Sequence, residues 1–179
     1  MNKPQSPAGV PDVQTVTPQG EPVSTGIEGV ILRAPKTHVD HRGEIFEMYT
    51  GPDDFFAEPL VWAYHDIVYP GQIKGWAHHK VKVDRYTLVA GSLTMLLWDG
   101  RADSPTHGQL QVVQLSLTGN RMIRIPVGVW HLIFAQGGQP AYFVNMPSER
   151  YRHQEPDRFL LPWDTDQIPV DVSRYLPRY

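Results

Sequence analysis

The sequence predicts an all-β domain, a sandwich or a barrel, on three observations. Short runs rich in β-branched and aromatic residues recur at regular spacing from residue 27 onward. Turn residues cut them apart, with 15 glycines and 17 prolines scattered through 179 residues. No 3.6-residue period extends beyond two helical turns. Runs this short and this evenly spaced suit sheets that pack face to face or close on themselves.

The candidate strands, in order, are residues 27–33 (IEGVILR), 44–49 (EIFEMY), 60–69 (LVWAYHDIVY), 73–78 (IKGWAH) and 84–90 (DRYTLVA). They continue with 92–98 (SLTMLLW), 110–117 (LQVVQLSL), 121–125 (RMIRI), 131–135 (HLIFA) and 141–146 (AYFVNM). Gly91-Ser92, between two of these runs, reads as a tight hairpin. Residues 155–179 hold Pro156, Pro162, Pro169 and Pro177, so they are expected as an extended tail that wraps the barrel. Residues 1–25 carry five prolines among Ser, Thr, Gln and Gly, and are expected as a mobile N-terminal arm. One barrel domain over residues 26–179 remains.

Composition narrows the function. A net charge of −3 lacks the basic excess that nucleic acid or an anionic membrane surface calls for. No apolar run approaches the roughly 18 residues of a membrane span. The opening MNKPQSPAGVPDVQ has no apolar core of a secretory leader, so a cytoplasmic location is expected. There is no cysteine, which removes disulfides, thiolate ligands and a thiol nucleophile.

Two clusters concentrate chemistry. One is Lys74-Gly75-Trp76-Ala77-His78-His79-Lys80, followed by Asp84-Arg85 and Gly91. The other is Ile125-Pro126-Val127-Gly128-Val129-Trp130-His131. They resemble the two short motifs of the cupin superfamily, a His-x-His pair with a later acid and glycine, then Pro-x-Gly-x-x-His. The resemblance implies a double-stranded β-helix, the cupin jelly roll, with extended N- and C-terminal arms. His79, Asp84, Gly91 and His131 fall on motif positions, while Ala77 stands where the first histidine would. His79, Asp84 and His131 could hold a divalent metal with open positions. His78 is adjacent, but neighbouring strand residues face opposite ways, so it could turn inward only at a bulge.

A longer resemblance covers most of residues 27–172, to the dTDP-4-dehydrorhamnose 3,5-epimerase family and related dTDP-4-keto-sugar isomerases. Asp40-His41-Arg42-Gly43-Glu44-Ile45-Phe46-Glu47 is similar to D-x-R-G-x-F-x-E, and Lys74-Gly75 to the Arg-Gly before the catalytic histidine. Asp99-Gly100-Arg101 with Ser104-Pro105-Thr106-His107-Gly108 resembles D-x-R-x-S-P-T-F-G with two residues inserted. Ile125 to His131 resembles I-P-x-G-F-A-H, and Trp163-Asp164-Thr165-Asp166 a late W-N-D-P.

The resemblance implies a homodimer that isomerises or epimerises a nucleotide-linked 4-keto-6-deoxyhexose in surface-polysaccharide biosynthesis, without a cofactor. A diphosphate calls for Arg or Lys, and arginine's fork suits it best. The resemblance implies that Arg42, which matches the family's phosphate-holding arginine, holds the phosphates, from its own subunit or the other. Lys74, Arg85 and Asn145 are further substrate-binding candidates, and Glu47 is expected to help place the nucleobase or ribose. Protons next to a ketone are acidic, so the reaction needs a base, enolate stabilisation and a proton donor. His79 or His78 is the expected base, His131 and Lys74 the expected enolate partners, and Tyr151 the expected donor.

The chain departs from the family pattern where the chemistry lies. Ala77 takes the place of the catalytic histidine, and Asn145 falls near the position of the proton-donating tyrosine. The family's lysine of the next strand falls near Asp84. Two other readings therefore stand beside the first: a metal-dependent cupin built on His79, Asp84 and His131, and a non-catalytic sugar-nucleotide binder. Blander readings stand beside each residue. His78 and His79 could be one surface and one core histidine, and Arg42 could form only a turn salt bridge with Asp40.

Overall fold

The computed structural model describes residues 9, 14–20, 23 and 26–177. Most of the arm expected over residues 1–25 lies outside the described residues. Among the described residues there are twelve strands: β1 (Ile31–Arg33), β2 (Thr37–Asp40), β3 (Gly43–Phe46), β4 (Tyr64–Val68), β5 (Ile73–His78) and β6 (Asp84–Ala90). The rest are β7 (Leu93–Asp99), β8 (Leu110–Leu115), β9 (Met122–Ile125), β10 (Val129–Ala135), β11 (Ala141–Asn145) and β12 (Phe159–Leu160). The helical content among the described residues is one 3₁₀ turn, Val172–Arg174.

Two five-stranded sheets face each other, ordered β1-β9-β6-β11-β4 and β12-β5-β10-β7-β8, with every pairing antiparallel. This is the expected jelly roll. Strand alternation decides what each side chain meets. Leu93, Met95, Leu97, Ile133 and Ala135 from one sheet meet Tyr86, Leu88, Ile123 and Phe143 from the other, in a core between the sheets. The outer faces are covered as well. Trp76, Leu96, Leu132 and Phe134 pack under Ile168 and Val172 of the C-terminal segment, which wraps that face as expected. Phe55 and Phe56 cover the outside of the other sheet with Met122 and Met146.

Gly91-Ser92 does not close a hairpin. β6 and β7 lie in different sheets, so the chain crosses between layers there. The local sequence marks a reversal but carries no information about which sheet the next strand joins. Gly91 is required by closeness: its φ is +80°, and a Cβ would stand 2.3 Å from the Pro140 carbonyl oxygen.

β2 and β3 form a separate two-stranded ribbon with Asp40 opposite Gly43, so His41 and Arg42 make its tip. β2 was not among the expected strands. It offers one large apolar residue, Val39, and that side chain is 74% exposed.

Candidate active site

One end of the barrel opens into a cavity of about 570 Å³ between the two sheets. Its floor is built from strand ends that alternation and a bulge aim inward. β10 opposes β5 with His131 facing Ala77 and Ile133 facing Lys74, so Gly75 and Trp76 bulge against Leu132 alone. Gly75 makes the bulge possible. Its φ is +108°, and a Cβ would stand 2.5 Å from the His131 carbonyl oxygen. After the bulge, Trp76 points outward into the tail-covered cluster, while Ala77 and His79 face the cavity. The Pro126-Val127-Gly128 turn then delivers His131, and it is fastened by Gly128 N–H donating to the His79 carbonyl at 2.7 Å.

Asp84, at the start of β6, is the hub of the floor. Its Oδ2 lies 3.0 Å from His79 Nε2 and 3.7 Å from His131 Nε2. Tyr86 donates its hydroxyl to the same oxygen at 3.4 Å. Oδ1 receives the Lys82 ammonium at 3.1 Å and the Asn145 amide at 3.0 Å. Burial alone would raise this carboxyl, but the hydrogen bond and charge of His79, with the charges of Lys82 and His131, hold it well below the ordinary carboxylate range. His131 moves the other way. Burial lowers it to about 4 against the pull of Asp84, so the ring is neutral at pH 7.

The other ring nitrogens are also engaged. His79 Nδ1 contacts the backbone carbonyl of Asp157, and His131 Nδ1 lies 3.3 Å from the Val129 carbonyl. Asp84 and the Asp157 carbonyl are both acceptors, so the His79 ring lies between two groups that can receive its N–H. Asp157 also locks the turn after His79. Its carboxylate accepts the backbone N–H groups of Lys80 at 2.8 Å, and of Val81 and Lys82 at 2.9 Å. Burial works to raise Asp157, but these three donors outweigh it and hold it low.

The cavity walls carry Trp62, Tyr64 and Asp66 of the β4 side, Lys74, Tyr151 and Arg158. Lys74 and Asp66 form an ion pair that joins β5 to β4 across the two sheets.

Comparison with known proteins identifies the family of the chain. The family model described as dTDP-4-dehydrorhamnose 3,5-epimerase matches residues 24–176. The chain belongs to that family. A relative from Haloferax volcanii, described as a probable low-salt glycan biosynthesis epimerase, is 31% identical over 146 residues, covering 81% of this chain and 94% of its own. A Bacillus subtilis spore coat polysaccharide biosynthesis protein is 29% identical over 142 residues, covering 79% of this chain and 93% of its own. Among solved structures, a dTDP sugar isomerase from Desulfovibrio desulfuricans G20 superposes with a TM-score of 0.76 at 27% identity, over 82% of this chain and 92% of that one. The Legionella pneumophila 3,5-epimerase bound to dTDP-4-keto-L-rhamnose shares the fold at 20% identity, with a TM-score of 0.72 over 88% of this chain and 97% of that one. The chain is thus an enzyme of the sugar isomerase and epimerase class. No helix among the described residues is long and apolar enough to cross a membrane.

Within this epimerase scaffold the expected site residues separate into two groups. His79, His131, Lys74 and Tyr151 line the cavity, as does Asp84. His78, Arg85, Asn145, Arg42 and Glu47 do not. His78 follows the bulge in the outward phase and packs its ring on Trp130 and Phe159, at 4.2 and 5.0 Å between centroids. It is therefore no candidate for the base. Arg85 points to the outer face, where it donates to the carbonyls of Glu58, Pro59 and Met146 and lies over Phe56. Its charge fastens a loop and cannot reach a diphosphate in the cavity. Asn145 is fully buried behind the cavity wall. Its oxygen accepts from Arg85 N–H, and its amide donates to Asp84 and Tyr64, which leaves it nothing to offer a substrate.

Arg42 and Glu47 lie on and just after the exposed β2–β3 ribbon. Arg42 is held by Asp40 at 2.5 Å, the turn pairing that its sequence position suggests. Neither residue lines this cavity.

Sequence reasoning missed Tyr64, Asp66, Lys82, Arg158 and Asp157. A signal existed for the first two: Trp62, Tyr64 and Asp66 alternate along one face of the expected 60–69 strand, an aromatic and acidic stripe at period two.

Proposed function

We propose that this enzyme epimerises or isomerises a dTDP-linked 4-keto-6-deoxyhexose in surface-polysaccharide biosynthesis, by abstracting a proton next to the ketone. The observation that carries the reading is the His79–Asp84–His131 floor of a cavity walled by Lys74, Lys82 and Arg158. A neutral imidazole is needed to accept a proton, and His131 is the histidine that burial keeps neutral. His131 is assigned as the base, with Asp84 positioned to stabilise the imidazolium as it forms. His79, 3.0 Å from Asp84 Oδ2, holds the carboxylate in place. Lys74 and Lys82 supply positive charge for the enolate oxygen. Arg158 at the cavity wall is suited to the substrate phosphates.

The enzyme is proposed to work as a homodimer. The β2–β3 ribbon leaves Val39 and Ile45 74% and 67% exposed, an apolar pair that suits burial against a second copy. Such packing would carry Arg42 towards the second copy's cavity.

The reading is tested by incubating the enzyme with dTDP-4-keto-6-deoxyglucose in heavy water and following sugar carbons C3 and C5 by proton NMR. Enzyme-dependent exchange at either carbon is expected. Bound nucleotide without any exchange would refute proton abstraction.

One observation favours a second reading. The donor atoms of His79, Asp84 and His131 lie within 4.8 Å of one another, a set of two histidines and a carboxylate that suits a divalent transition metal. Such an ion would polarise the ketone oxygen. Against the fit, Lys82 Nζ stands 3.1 Å from Asp84, so a cation already neutralises that ligand. Elemental analysis of the purified enzyme distinguishes the two readings: one bound metal per chain would favour the second.

A further inference from the structure

From the cavity geometry we infer that Tyr64 is the catalytic proton donor and that Asn145 is the residue that positions it. The inference rests on the epimerase reading and names a residue of that same site.

Tyr64 and Asn145 are cross-strand partners on β4 and β11. The Asn145 amide donates to the Tyr64 hydroxyl oxygen at 2.9 Å. That bond satisfies the oxygen as an acceptor and leaves its hydrogen uncommitted. No described protein group accepts it, and the residue lines the cavity. The same amide nitrogen donates to Asp84 at 3.0 Å. One buried side chain therefore sets the Tyr64 hydroxyl in fixed relation to the histidine–carboxylate floor.

The other donors on the cavity wall are engaged or unheld. Tyr86 directs its proton to Asp84. Lys82 and Lys74 are paired with Asp84 and Asp66. Tyr151 is 41% exposed, and its described contacts are the rings of Trp62 and His153, which give its hydroxyl no fixed direction. Burial, with the charge of Asp84 adding to it, pushes Tyr64 up to about 12, so it holds its proton at neutral pH.

Position fits the reaction. Tyr64 belongs to one sheet and His131 to the other, and both face the same cavity. A base and an acid on opposed walls can address the two faces of one sugar carbon. His131 takes the proton from that carbon, and the C–H electron pair passes into the enolate. Tyr64 then gives its O–H proton to the other face. The enolate pair forms the new C–H bond as the ketone returns. Water reprotonates the phenolate and takes the proton from His131, so no oxidant or reductant is needed.

The test compares wild type, Tyr64→Phe, Asn145→Ala and Tyr151→Phe in heavy water with dTDP-4-keto-6-deoxyglucose. Deuterium uptake and inverted product are followed on each sample, and dTDP binding reports the fold. Tyr64→Phe is expected to keep dTDP binding and deuterium uptake, because His131 can return a deuteron to the face it came from. Inverted product should fall by about 100-fold or more. Asn145→Ala should shift the same ratio of uptake to inversion in the same direction, which a loss of folded protein would not do. The inference is overturned if Tyr64→Phe inverts at the wild-type rate, if its uptake and inversion fall together, or if Tyr151→Phe alone separates them. A wild type that neither exchanges nor inverts would overturn the epimerase reading, and the role of Tyr64 with it.

Discussion

Asp157 holds His79 from outside the barrel strands. Its backbone carbonyl meets His79 Nδ1, while its carboxylate accepts three successive N–H groups of the turn from Lys80 to Lys82. The C-terminal segment is thus part of the cavity floor, because it holds both the His79 ring and the backbone of Lys82, which is paired with Asp84.

Removing that carboxylate should therefore affect both stability and chemistry. Asp157→Ala leaves three N–H groups without their acceptor, two of them where water can replace it. A stability loss of about 1–3 kcal/mol is expected in urea unfolding. Turnover should fall further than the unfolded fraction explains, since Lys82 and His79 lose their placement. Asp157→Asn keeps one acceptor oxygen and should lie between Ala and wild type on both measures. Wild-type turnover in Asp157→Ala would show that the turn holds itself.

The buried floor gives the fold an acid limit whose sign follows from His131. Its pKa is lowered to about 4 in the folded protein, against 6.5 as the ordinary value. Above pH 6.5 the ring is neutral in both states, so its contribution to stability is complete. As pH falls from 6.5 towards 4 the unfolded chain takes up a proton that the folded chain does not, and stability is lost. The whole span amounts to about 3 kcal/mol. Asp84, also depressed, adds a further loss once pH falls below the ordinary carboxylate range. The urea midpoint should decline between pH 6.5 and 4, and His131→Asn should flatten that part of the curve. An unchanged slope in His131→Asn would place the titration elsewhere.

The sheets were more legible than the site. β5 and β6 match the expected residues 73–78 and 84–90 end for end, with Pro70-Gly71 ahead of β5 and Gly91 after β6 as turn residues. β12 was missed, since two residues in a proline-rich segment show no period. The histidines were legible through Pro126-Val127-Gly128 and the acid after His79. Which of His78 and His79 faces inward was not, because it depends on a bulge that only the close approach of Gly75 to His131 reveals. Arg85 looked like a substrate ligand because a cation beside a motif acid is ambiguous until its strand phase is known. Asp157 lies 78 residues from His79 along the chain, and no local pattern links them.

The β2–β3 ribbon yields a prediction that separates assembly from folding. Its side chains are mostly exposed, and Arg121 ties it to the barrel by an ion pair with Glu44 at 3.0 Å and by lying 4.2 Å over the Phe46 ring. Replacing Val39 by Asp should therefore leave the barrel's thermal midpoint nearly unchanged. If the ribbon packs against a second copy, the buried charge should disfavour association by several kcal/mol unless it finds a partner. Sedimentation at micromolar concentration should then show monomer in place of dimer. Arg42→Ala should leave the dimer intact, because a tip arginine paired with Asp40 adds little to packing. It should weaken dTDP binding about 10-fold or more if its guanidinium meets the diphosphate across the interface. A dimer that persists in Val39→Asp, with dTDP binding unchanged in Arg42→Ala, would assign the phosphates to Arg158 and the walls of a single subunit's cavity.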